Sequence, residues 1–159
     1  MENSIQLKGP QIGKAGELRV RAELILQGLT PAVCDNDDGT DIIIAETGKK
    51  LQVKTSLRPQ DNRNHGYKYS FAIRQMQFRQ GEEGKYQRTY TRKNYMGKAD
   101  YFVFWCVEHD NFYIIPEADI GEKVSFVVPT PTEDRKYRIN ERKSKSKYEK
   151  YRNAWHLLA

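Results

Sequence analysis

Three side chains of different chemistry crowd into the stretch Asp38–Ser56, DGTDIIIAETGKKLQVKTS: the carboxylate of Asp41, the amide of Gln52 and the ammonium of Lys54. A hard divalent cation such as Mg²⁺ takes oxygen ligands, commonly one or two carboxylates completed by water and phosphate. Asp41 is the natural anchor, Gln52 offers an amide carbonyl, and the Val53 backbone carbonyl offers another oxygen. A lysine beside such a cation can orient an attacking water or offset charge building on a phosphate. The same spacing also fits a plain cross-strand Asp41–Lys54 ion pair on a solvated sheet face, with Gln52 as filler.

Two strands and a helix must position these groups. The β-branched run Thr40–Ala45 and the run Lys50–Thr55 read as a hairpin, with Gly48 supplying the positive φ of a tight turn. A two-residue loop at Thr47-Gly48 sets Asp41 across from Lys54 and Ile43 across from Gln52. Side chains alternate with period two, so Asp41, Gln52 and Lys54 then share a face; a four-residue loop is expected to keep that pairing, whereas an odd-length loop would shift it by one and scatter them. Upstream, 12–29 reads as a helix with an apolar stripe of Ala15, Leu18, Ala22, Ile25, Leu26 and Leu29, closed by Gly28 and Pro31. Glu17 sits at the edge of that stripe, where it can point along the sheet; pairing with Arg21 one turn on is its plainer role.

A helix bearing Gly16-Glu17, then Gly39-Thr40-Asp41-Ile42 and Leu51-Gln52-Val53-Lys54-Thr55, resembles the PD-(D/E)XK nuclease superfamily. Within it the chain looks most like the small group I intron homing endonucleases and, more distantly, the archaeal Holliday-junction resolvases. Lys98–Trp105 and Asn111–Pro116 look like the next two core strands, so the resemblance spans residues 12–120. It implies an α/β (α+β) fold, a restriction-endonuclease-like core with a mixed central sheet flanked by helices. By position it makes Glu17, Asp41, Gln52 and Lys54 the catalytic residues, with Asp41, Gln52, the Val53 carbonyl and Glu17 around Mg²⁺, for which Mn²⁺ substitutes. Gln52 stands where most of the superfamily carries Asp or Glu, and the homing branch is similar in accepting Gln there. The implied activity is a Mg²⁺-dependent DNA endonuclease in which water attacks the phosphodiester directly. A double-strand break then needs two such sites, hence a homo-oligomer, dimer or tetramer.

Charge distribution agrees with a polyanionic partner. The net charge of +6 hides blocks: residues 58–98 hold 10 Lys/Arg against 3 Asp/Glu, 99–134 hold 1 against 8, and 135–152 hold 9 against 2. Basic residues interleaved with Tyr and Gln suit phosphates and base edges of double-stranded DNA. The DNA-contacting candidates in the insertion at 58–98 are Arg58, Arg63, Lys68, Arg74, Arg79, Lys85, Arg88, Arg92 and Lys93. Tyr67–Arg74 reads as a third sheet strand there, and Gln75–Tyr95 as a long polar insertion. A resolvase would use the same site residues while reading junction shape, and a catalytically inactive DNA-binding module would keep the basic blocks alone.

The 159 residues suit a single domain. Cys34 and Cys106 in apolar runs read as reduced buried thiols, and no apolar run reaches bilayer-spanning length, so a soluble, cytoplasmic protein is expected. His109 reads as an exposed turn tip. His65 lacks the accompanying His and Asn of a histidine–metal nuclease, and His156 has no assigned part. At the C-terminus, Ser146 and Glu149 form a capping box for a basic helix over 146–158, whose buried stripe is Tyr148, Tyr151, Trp155 and Leu158.

Overall fold

The structure is a computed structural model describing residues 7–34, 39–62, 66–80, 86–91, 96–131 and 146–159, with the backbone alone at 62, 75–80 and 86–91. Helix α1 spans Gly9–Leu26. It begins three residues earlier than its periodicity predicts, because Pro10 suits a first turn and the Gln11 side chain accepts the Lys8 N–H at 2.8 Å. Gly28 at φ +81° closes it, with the Leu29 N–H returning to the Leu24 carbonyl.

The buried stripe of α1 differs from the expected one. Gly16, Val20 and Leu24 face the protein, while Leu18, Ile25 and Leu26 are 52, 63 and 78% exposed. The helix carries two apolar stripes, and counting large residues selects the outer one. The inner stripe wins because its small first member, Gly16, lets the helix settle onto the sheet. Glu17 therefore borders Gly16 on the inner side. Its partner is Lys14, at 2.9 Å, in place of Arg21.

Strands β1 (Pro31–Val33), β2 (Ile42–Ile44) and β3 (Lys50–Ser56) follow. β2 and β3 form the expected hairpin, but its loop is four residues, Ala45–Gly48, with Ile44 N–H bonded to Lys49 O and Gly48 at φ +69°. Ile42 accordingly faces Leu51 and Ile43 faces Lys50. This register is displaced by two residues from that of a Thr47-Gly48 loop, and an even displacement leaves every side chain on its original face.

β4 (Gln60–Asn62) and β5 (Gly66–Ala72) pair with β10 (Ser125–Pro129) in a separate three-stranded sheet, so Tyr67–Arg74 does not extend the central one. The polar insertion is itself a hairpin, β6 (Gln75–Gln80) with β7 (Tyr86–Thr91). β8 (Tyr101–Cys106) and β9 (Asn111–Pro116) return to the centre, followed by the short helix α2 (Glu117–Ile120). The five-stranded sheet runs β1-β2-β3-β8-β9, with β3 and β8 parallel and the other pairs antiparallel.

β8 is buried on both faces, as its continuous apolar run predicts. Val103 joins Val20, Leu24, Ile42, Ile44, Leu51 and Val53 under α1. Phe102 and Phe104 meet Tyr69, Phe71 and Phe126 of the second sheet, with Phe104 stacked on Phe126 at 4.5 Å. Cys106 is buried and its thiol is pushed far above its usual pKa by that burial; Cys34 is only half-buried. His109 is no free tip: its Nδ1 meets the Tyr69 hydroxyl at 2.5 Å. No helix among the described residues is long and apolar enough to cross a membrane.

The expected C-terminal helix is absent; two 3₁₀ turns, Glu149–Tyr151 and Trp155–Leu157, take its place. The Ser146 hydroxyl accepts the Tyr148 N–H, not that of Glu149. Between the turns, Arg152 is extended and Asn153 adopts φ +51°. Asn153 bonds both sides of Phe112, its N–H donating to the carbonyl at 2.7 Å and its Oδ1 accepting the N–H at 2.9 Å. The edge of β9 thus captures the tail, and helical spacing survives only as burial of Tyr148, Tyr151, Trp155 and Leu158. Asn153→Ala is expected to lower unfolding free energy by about 2 kcal/mol, by denaturant titration, since it removes a bond to a buried amide and strains a left-handed residue.

Candidate active site

β2 is shorter than β3, and the mismatch makes a notch. Beyond Leu51, the described residues provide no β2 backbone for β3 to pair with. Asp41, one residue before β2, fills the vacancy: its N–H donates to the Leu51 carbonyl at 2.9 Å, and its Oδ2 accepts the Val53 N–H at 2.6 Å. The N–H and C=O of a strand residue point toward the same edge, so the Val53 carbonyl faces the notch as well. Gly39, at φ +93°, turns the chain into this position, and buried Thr40 anchors it by donating its hydroxyl to the Lys98 carbonyl at 2.8 Å.

An open groove of about 370 Å³ lies over the notch, lined by Gly9, Ile12, Gly13 and Glu17 of α1 together with Asp41, Val53, Lys54 and Thr55. Glu17, Asp41, Val53 and Lys54 are thus brought together. Gln52 is not among the lining residues; it is 5% exposed. Asp41 and Lys54 act on one another electrostatically without closing to a contact ion pair. Burial raises the Asp41 carboxyl pKa above its ordinary value, opposed by the Val53 N–H and the Lys54 charge and reinforced by Glu17. Burial lowers the Lys54 pKa, while Asp41 and Glu17 hold it up.

The donor set suits a hard divalent ion. Asp41 and Glu17 supply carboxylates and Val53 a carbonyl, and no cluster of three or more His, Cys, Asp or Glu suited to a metal exists among the described residues. Two carboxylates with water and phosphate completing the shell fit Mg²⁺ better than a thiolate- or imidazole-seeking metal. A positive charge in the groove would favour the ionised form of Asp41 that burial disfavours.

Of the basic candidates, Arg58 and Arg74 are exposed and Lys68 is half-buried. Arg79 and Arg88 lie on the β6–β7 hairpin. Arg63, Lys85, Arg92 and Lys93 fall outside the described residues. Residue-by-residue reading missed Thr40 and the Gly16–Thr55 contact. A glycine inside a helix, immediately before the site glutamate, was the available signal.

The chain matches the family model of the PD-(D/E)XK endonuclease over residues 8–157. Its fold is similar to that of a bacterial homing endonuclease, I-Ssp6803I, with a TM-score of 0.69 and 20% identity, covering 96% of this chain and 93% of the other. Nothing among curated proteins matches it.

Proposed function

The chain belongs to the PD-(D/E)XK endonuclease family, and from that premise we propose that it is a Mg²⁺-dependent endonuclease hydrolysing phosphodiester bonds of double-stranded DNA, site-specific in the manner of homing enzymes. The observation that carries the reading is the convergence of Glu17, Asp41 and Lys54 on the notch in β3.

Asp41 and Glu17, with the Val53 carbonyl, would hold the cation. Mn²⁺ uses the same oxygen donors and should substitute. Bound there, a divalent ion would supply Lewis acidity toward the phosphate and a more acidic water. Lys54 places an ammonium beside the groove, where it steadies the attacking water and the charge growing on the phosphate oxygens. Gln52, buried two residues before Lys54 on β3, supports the strand segment that presents Lys54. Arg58 and Arg74, with the β6–β7 hairpin, form the DNA-contacting surface. One site of this kind opens one strand, so a double-strand break requires two copies of the chain, a dimer or tetramer, checked as a solution mass of two or four times 18.6 kDa.

Incubation with a pool of supercoiled plasmids carrying random inserts, so that target sequences are represented, tests the reading. Nicked or linear product is expected with Mg²⁺ or Mn²⁺ and none with a chelator; absence of cleavage across a metal titration would overturn it. Cleavage of a four-way junction in preference to linear duplex would reassign the activity to junction resolution.

A further inference from the structure

Among the glycines of helix α1, Gly16 is the one set against the sheet. A Cβ placed there would collide with the Thr55 hydroxyl and come within 3.1 Å of the Thr55 Cβ. The same addition at Gly9 or Gly13 meets nothing within 4 Å. The Thr55 hydroxyl is buried and has no hydrogen-bond partner, so its surroundings are filled by the bare Cα of Gly16. A glycine inside a helix is costly relative to alanine, and an unpartnered buried hydroxyl is costly too. Both penalties fall at one contact, and that contact joins the residue before Glu17 to the residue after Lys54.

We infer that Gly16 and Thr55 are a positioning pair: their contact sets how deeply α1 sits over β3 and thereby brings the Glu17 carboxylate to Asp41 for shared binding of a divalent cation. The inference rests on the metal-dependent reading above. Val20 and Leu24 fix the helix farther along, under the hydrophobic core, where the sheet is covered. Near the groove, Gly16 alone among the buried residues of α1 makes the approach. A methyl group at 16 lifts that end and withdraws Glu17 while the core stays packed. Misplacement of a ligand by about 1 Å is enough to matter at a site of this kind.

Titration of Mn²⁺ into the DNA-free protein, followed by calorimetry, tests the pair. Gly16→Ala is expected to bind Mn²⁺ at least about tenfold more weakly than wild type. Adding Thr55→Ala in the same chain removes the colliding hydroxyl and should restore most of the affinity. Ala22→Gly, on the exposed side of α1, weakens the same helix through propensity alone and should bind as wild type does. Wild-type affinity in Gly16→Ala, or a double variant as weak as the single one, overturns the inference while leaving the nuclease reading intact. A wild-type protein that takes up no Mn²⁺ overturns the inference, and the plasmid assay then decides the nuclease reading separately. If Gly16→Ala does not fold, Thr55→Ile, which pushes the helix from the strand side, carries the comparison, and unchanged affinity there is equally decisive.

Discussion

Asp41→Asn is expected to cut plasmid about a thousandfold more slowly or worse, to bind DNA as before, and to melt at a higher temperature than the wild type when metal-free. The asparagine keeps the shape of the side chain and an oxygen that can accept the Val53 N–H, so β3 retains its cap. What disappears is a charge whose burial outweighs the nearby Lys54 and the Val53 hydrogen bond. The folded-state pKa lies above the ordinary 3.8. Asp41 therefore adds stability when protonated, loses that contribution as pH rises through its folded value, and is a net cost at neutral pH. The stability gap between variant and wild type should close on acidification, as wild-type Asp41 becomes neutral. A variant that cuts at near wild-type rate would remove Asp41 from the chemistry. One that loses both cleavage and melting temperature would make its part architectural.

That opposition between stability and the proposed activity is why the candidate site stands out in the sequence and the architecture around it less so. An acid, an amine and a helical glutamate set among Ile, Leu and Val have no packing role that apolar residues would not fill better. They stand out locally, and period-two alternation places them whether the hairpin loop is two residues or four. The central strand Tyr101–Cys106 was equally legible, because an unbroken apolar run has few other uses. Properties decided between distant residues were not. Leu18, Ile25 and Leu26 satisfy helical periodicity as well as Val20 and Leu24 do, and the approach of Gly16 to Thr55 together with the packing of Val20 and Leu24 on the sheet selects the inner face. Tyr148, Tyr151, Trp155 and Leu158 are buried as their spacing demands. Asn153, held by both backbone groups of Phe112, nevertheless turns the segment away from a helix. Gln52 stands with the candidate site in sequence and shares a strand face with Lys54, but is buried and is not among the residues that line the groove.

Lys54→Met should slow turnover by about two to three orders of magnitude with little change in KM for DNA. Methionine spans a similar length and suits burial, so the loss isolates the ammonium. Lys54→Arg is expected to rescue poorly, because a planar fork cannot occupy the place of a compact point charge. The pH profile separates the two ways the amine could act. Burial lowers its pKa below 10.5, while Asp41 and Glu17 limit the fall. The charged form is then disfavoured by folding: it costs stability at neutral pH, and that cost fades as pH rises through the lowered value. Lys54→Met should therefore melt above wild type, as Asp41→Asn does. In catalysis the ammonium is the working form, so wild-type cleavage should decline along an alkaline limb below pH 10.5, measured at saturating Mg²⁺ and DNA, and Lys54→Met should lack that limb. Cleavage that instead climbs through the same range would identify the free amine as the active species, making Lys54 a base toward water and not a counter-charge to phosphate.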